Sequence, residues 1–455
     1  MHLERRKWVP EASENLVQDL VQKVSGSTSK ELSKRLTFLA DLNRTIHEKD
    51  CFNLNPATNI MNPRAEAFLS CGLGSRPSLG YPGDKYEMGL EAIEEIEVVA
   101  SSLVAEIFCS KFAEIRVPSG AMANLFSFMS ICKPGDTIIV PPASIGGHVT
   151  HHNPGCAGLF GLNIIEAPID KDYYSVDIEQ LRELALKEKP KLITLGGSLN
   201  LFEHPILAVS SIAKEVGARL LFDAAHQCGL IAGKAWENPL DLGADVVTMS
   251  TYKSLGGPPG GVIITNDAEI AQKIDCIAFP GMTANFDAAK SAALAVTMLD
   301  WKEFGRDYAA EMVLMAKTLA SSLEEHNIPV FFGALGHTQS HQFAVLAEGY
   351  GGGQQASKLL RKSGFLACGI GLPVKELEKD MNGLRLGTPE LVRWGMKAKD
   401  SNRLAELIAK ALKGQILTEE VSEWRETFKK LHFIHYDRIL LVQIKVKQLL
   451  FIYGA

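Results

Sequence analysis

Asp223 and Lys253 are the first two residues that could act together. Asp223 ends an apolar run in Phe222-Asp223-Ala224-Ala225-His226, and Lys253 follows another in Ser250-Thr251-Tyr252-Lys253-Ser254-Leu255-Gly256-Gly257-Pro258-Pro259-Gly260-Gly261. Alone, the acid reads as a helix cap and the lysine as a solvated loop charge. As a pair, each at its own strand end, they meet the needs of pyridoxal 5′-phosphate. The lysine can form a Schiff base, and the carboxylate can keep the pyridine nitrogen protonated as an electron sink.

Two further stretches extend the pattern. In Val117-Pro118-Ser119-Gly120-Ala121-Met122 a strand gives way to a helix over 122–131, and the N–H groups and dipole of a helix start suit a phosphate. Ser-Gly is also an ordinary cap, so its weight comes from its order with the other two. Gly146-Gly147-His148-Val149-Thr150-His151-His152 invites a metal reading. No H-E-x-x-H pattern or neighbouring cysteine supports one, and no metal is expected. A ring face over the cofactor is the better use for His148.

These residues need strand ends to hold them. Short β-rich runs at 115–118, 137–140, 163–167, 191–195, 219–222, 245–249 and 261–265 alternate with helix-length segments, beginning with an amphipathic helix over 90–108. Seven such runs predict a mostly parallel, seven-stranded sheet covered by helices on both faces, with ligands beyond the carboxyl ends of its strands. A long helix over 301–325 then bridges to strands at 330–332 and 342–346 and helices at 354–363 and 401–412.

The chain has 455 residues, too many for one core. The pattern divides it into an N-terminal helical arm (1–60), a large domain (61–300), a smaller α+β domain (301–425) and a tail (426–455). The arm carries Leu16, Leu20, Val21 and Val24 at helical spacing, with no obvious partner in its own chain. Forty-seven basic against 53 acidic residues, net −6, exclude a basic nucleic-acid footprint. The eight cysteines form no C-x-x-C pair, and the charged N-terminus lacks a secretory apolar run, so a reduced, cytoplasmic protein is expected. The apolar tail carries Arg438, Lys445 and Lys447, which argues against a membrane span.

Taken in order, the motifs resemble the serine (glycine) hydroxymethyltransferase family of fold-type I, aspartate-aminotransferase-like enzymes, from about residue 50 to about residue 415. They are Gly80-Tyr81-Pro82-Gly83, Ser119-Gly120, Lys133-Pro134-Gly135-Asp136-Thr137-Ile138, Gly146-Gly147-His148, Asp223-x-x-His226, Lys253-Ser254-Leu255-x-Gly257-Pro258-x-Gly260-Gly261, Phe279-Pro280-Gly281 and Leu384-Arg385-Leu386-Gly387-Thr388-Pro389. The resemblance implies Lys253 as the Schiff-base lysine, Asp223 as partner of the pyridine nitrogen and His148 stacked on the ring. Ser119, Gly120 and Ala121 would cradle the phosphate. Ser198 and His226 would contact the cofactor's O3′ side and the substrate, and Ser250, Tyr252 and Gly281 would add cofactor contacts. Arg385 would clamp the α-carboxylate, a task its planar fork suits. A homodimer or dimer of dimers is implied as well.

Several positions depart from the family pattern. The glutamate before Gly-Tyr-Pro-Gly, which serves the folate-dependent step, is Leu79, and the tyrosine two residues earlier is Pro77. The tyrosine pair after the motif reads Tyr86-Glu87, the histidine before the lysine is Tyr252, and the arginine in the following loop is Pro259. The loop after Phe279-Pro280-Gly281 continues Met282-Thr283-Ala284-Asn285. A divergent member is expected, one that cleaves or transfers at the Cα–Cβ bond of a β-hydroxy-α-amino acid without folate. Glu87 would move protons or, with Tyr86, meet the substrate. Racemase, aminotransferase and α-methylserine-type hydroxymethyltransferase chemistry are the alternatives.

Overall fold

The computed structural model describes residues 3–76 and 78–435, so Pro77 and the tail beyond 435 lie outside the described residues. Its central sheet has seven strands: β1 (Phe112–Val117), β2 (Thr137–Val140), β3 (Asn163–Glu166), β4 (Leu192–Gly196), β5 (Arg219–Asp223), β6 (Val246–Ser250) and β7 (Gly261–Thr265). They lie in the order β1-β7-β6-β5-β4-β2-β3. All run parallel except β7, which is antiparallel to both neighbours. Strands β4, β6 and β7 are buried at every residue, which explains why they read as mostly apolar runs, interrupted in β4 and β6 by Thr194 and Thr248, rather than as alternating ones. The fold is the mostly parallel α/β sheet read from the sequence.

Element boundaries moved where capping or pairing decided them. The first strand starts earlier than 115, because Phe112 to Glu114 pair with β7, and it stops before Pro118, which has no N–H to give the ladder. The helix expected at 122–131 begins at Gly120 because the Ser119 hydroxyl caps it, accepting from Met122 N at 3.2 Å. The bridging helix runs Ala288–Glu325, not from 301, with the Asp287 carboxylate accepting from Ala289 N at its start. The expected strand at 330–332 reduces to a single bridge, Val330 to Val345.

Beyond the long helix, Gln342–Leu346, Gly383–Gly387 and Cys368–Ile370 form a three-stranded antiparallel sheet with Gly383–Gly387 in the middle, and Arg385 on that strand. At the other end of the chain, helices Glu11–Val24 and Ser29–Arg44 bury only Glu14 between them. They leave Leu16, Leu20, Leu36, Phe38, Leu39 and Leu42 exposed. Among the described residues no helix is long and apolar enough to cross a membrane.

Candidate active site

The chamber lies at the carboxyl ends of the strands. Ser119 follows β1, His148 follows β2, Ser198 follows β4, Asp223 and Ser250 end β5 and β6, and Lys253 comes just after. With Gly120, Ala121, Asn124, His226 and Tyr252 they enclose about 110 Å³. A larger groove of about 690 Å³ crosses the outer edge of β1. Of its charged side chains, Arg116 is paired with Glu114 and Asp275 and Glu97 with Lys85, leaving Lys111, so it offers no comparable convergence of reactive groups. The chamber is tight by construction: a Cβ on Gly120 would come 2.1 Å from Ser250 Oγ.

Asp223 is buried at the chamber floor. Its Oδ2 lies 3.0 Å from His151 Nε2 and accepts from Asn124 Nδ2 at 2.9 Å, while Oδ1 accepts from Ala225 N at 2.9 Å. Burial works against its charge, but the hydrogen bond and field of His151, the field of His148 and the Asn124 amide outweigh it. They hold the carboxyl well below the usual range. Asn124 is itself fixed, giving its other amide hydrogen to Thr150 Oγ1 at 2.9 Å and accepting from Thr248 Oγ1 at 2.7 Å.

Lys253 is almost fully buried, and that burial, reinforced by the charge of Arg385 against the pull of Asp223, lowers its amine to about 8. Burial also lowers His148, despite Asp223 nearby. Its Nδ1 accepts from Thr150 N at 3.3 Å, so the neutral ring carries its proton on Nε2.

Arg385 does not line the chamber itself but contacts two residues that do, Ser198 and His226. Its Nη1 donates to the Ser198 carbonyl and lies 3.3 Å from His226 Nε2, and its Nη2 donates to Cys368 Sγ at 3.1 Å. None of these partners is anionic, and Nε has no partner among the described residues although the residue is only 7% exposed. His226 is pushed well below the ordinary imidazole value by burial and by the charges of Lys253 and Arg385. Its buried Nδ1 also lacks a partner.

Most of the expected residues therefore meet; Arg385 stands one contact behind the lining, and Tyr86, Glu87 and Gly281 do not line the chamber of their own chain. The hairpin Gly80–Tyr81/Asp84–Lys85 leads into Tyr86, which is 83% exposed. Lys85 anchors it from beneath, donating to Gly80 O at 2.9 Å and to buried Glu97 at 2.7 Å. The hairpin brings Tyr86 N to within 3.1 Å of Leu79 O, so Glu87 is a spatial neighbour of position 79. One oxygen of Glu87 is enclosed without a partner. Gly281 is exposed in the segment Ile277–Met282.

His151, Asn124 and Cys368 are site residues that the sequence reading missed. His151 had a signal, its i+3 spacing from His148, which was weighed only as a metal pattern. Gly146 and Gly147 are explained by packing. A Cβ on Gly147 would lie 1.9 Å from Pro141 O, and Gly146 has φ +82° against the Leu199 backbone.

A family model described as serine hydroxymethyltransferase matches residues 40–408. An alpha-methylserine aldolase from a Ralstonia species is 57% identical over 436 residues, covering 95% of this chain and all of that protein. A serine hydroxymethyltransferase from Sulfolobus acidocaldarius is 37% identical over 409 residues, 89% of this chain and 94% of that one. Among solved structures, L-threonine transaldolase from Pseudomonas fluorescens in its internal aldimine state superposes with a TM-score of 0.82 at 24% identity, covering 94% of this chain and 98% of that one.

Proposed function

The chain belongs to the serine hydroxymethyltransferase family, and from that premise we propose that it is a folate-independent, pyridoxal 5′-phosphate-dependent aldolase acting on a β-hydroxy-α-amino acid, with α-methylserine as substrate. Retro-aldol cleavage of that substrate gives formaldehyde and alanine. The observation that carries the reading is that a buried lysine, Lys253, and a buried carboxylate, Asp223, line one chamber at the strand ends. Similarity to alpha-methylserine aldolases over nearly the whole chain favours the aldol reaction over racemisation or transamination.

The residues present fit the cofactor. Lys253 can shed its proton near neutral pH, as attack on an aldehyde requires. Ser119 and the amides at the start of Gly120–Ile131 offer donors to a phosphate, and the orphaned Nδ1 of His226 offers one to the cofactor's hydroxyl side. Bound, the cofactor supplies the sink for the electron pair left at Cα when Cβ departs.

The protein's own groups do the rest. Asp223, fixed by His151 and Asn124, keeps a proton on the facing ring nitrogen. Arg385, a buried cation without an anionic partner, takes the α-carboxylate and so orients the Cα–Cβ bond. His148 offers a neutral ring face to the chamber. Glu87, presented by a second copy of the chain, accepts the β-hydroxyl proton in place of the glutamate absent at position 79. Residues 61–300 serve as the cofactor domain and 301–425 as the domain that delivers Arg385. Incubating the protein with pyridoxal 5′-phosphate and α-methylserine tests the reading: equimolar formaldehyde and alanine are expected, and no formaldehyde would refute it.

A further inference from the structure

Cys368 stands directly opposite Arg385 on the antiparallel ladder of the small sheet. Directly paired side chains share a face and touch. The Arg385 guanidinium donates to its sulfur at 3.1 Å, and the thiol hydrogen points to Asn55 Oδ1 at 3.4 Å. A cation beside a reachable sulfur is the setting in which thiols react. Cys368 is partly exposed, whereas Cys51, Cys132 and Cys228 are buried. Cys71, Cys109 and Cys276 are exposed; Cys71 Sγ meets the Phe68 carbonyl, and Cys109 Sγ has Lys234 Nζ at 3.5 Å, but Cys368 is the cysteine whose sulfur accepts from the arginine behind the chamber. The second feature of the site is Arg385 itself, nine-tenths buried, with Nε unpartnered and no anion in contact with it among the described residues.

We propose that Cys368 is an oxidation site whose modification closes the amino-acid carboxylate pocket. The inference rests on the reading of Arg385 as the carboxylate clamp. The sulfur attacks one oxygen of hydrogen peroxide. An S–O bond forms as the O–O bond breaks, and the thiol proton leaves with the departing oxygen as water. Sulfur loses two electrons and the peroxide gains them. A second equivalent of peroxide reacts in the same way and gives the sulfinate. That anion lies against Arg385 Nη2, where it neutralises the cation and competes with the substrate carboxylate.

The test uses the full chain with pyridoxal 5′-phosphate bound, treated with hydrogen peroxide and mapped by peptide mass spectrometry. Cys368 should gain two oxygens before Cys71 does. Alanine held at ten times its Kd should slow this about tenfold, because only the unliganded fraction reacts, whereas ethylamine, which lacks the carboxylate, should not. Peroxide should weaken alanine binding in the unmodified protein and leave the affinity of Cys368→Ser at its own starting value. A protein that binds alanine yet oxidises Cys368 no faster than Cys71, or that ethylamine protects equally, overturns the inference and leaves the proposed function standing. A protein that binds no amino acid overturns both.

Discussion

Asp223 stays ionised where burial alone would neutralise it, so its partners carry the electrostatics of the chamber. His151→Asn should therefore cut turnover by about ten- to a hundredfold, by letting the carboxylate shift. Steady-state rates at saturating cofactor would show this, and an unchanged rate would contradict it. Lys253 gives a second prediction. Its amine must be neutral to attack an aldehyde, and its value is about 8. Cofactor uptake by the cofactor-free protein should quicken as pH rises through about 8 and level off above it. Stopped-flow absorbance would follow this, and a rate still climbing tenfold per pH step above pH 9 would contradict the depressed value. Lys253, Asp223 and Ser119 were legible in the sequence because each closes a strand with a side chain suited to one part of the cofactor. His151 was not, because its role depends on a 3-10 turn that aims it at Asp223 from the neighbouring loop. Cys368 was hidden because only strand register places it opposite Arg385.

At the level of elements, the site depends on turns that tolerate no substituent. Gly147→Ala would drive a Cβ into the Pro141 carbonyl, and because both atoms belong to backbone neither can swing away. A loss of about 1–3 kcal/mol is expected, read as a lower denaturation midpoint; an unchanged midpoint would show that the loop carrying His148 yields easily. Lys85→Met would strand buried Glu97 beneath the hairpin and cost about 3–5 kcal/mol, again measured by denaturant unfolding. The strands were legible as apolar runs because their sheet is covered on both faces. Their ends were less so: the start of β1 depended on pairing with β7, and the start of the long helix on a cap at Asp287. The strand expected at 330–332 failed because only Val330 finds a partner, in Val345.

At the level of the whole molecule, several surfaces lack partners among the described residues of one chain. The arm helices expose six large apolar residues, and Tyr86, exposed after the hairpin, does not line the chamber of its own chain. We propose a homodimer in which each hairpin completes the other copy's site. Sedimentation at micromolar concentration should give a dimer, and a fully active monomer would refute this arrangement. The central claim is cleavage of the Cα–Cβ bond without folate, and it turns on Leu79, whose apolar side chain cannot act as a general acid or base. The most direct measurement is the rate of formaldehyde release from α-methylserine, with and without tetrahydrofolate, in the unmodified protein and in Glu87→Gln and Leu79→Ala. The account predicts release that is insensitive to tetrahydrofolate and is impaired more by Glu87→Gln than by Leu79→Ala. Release that depends on tetrahydrofolate would contradict it and return the chain to folate-linked hydroxymethyl transfer.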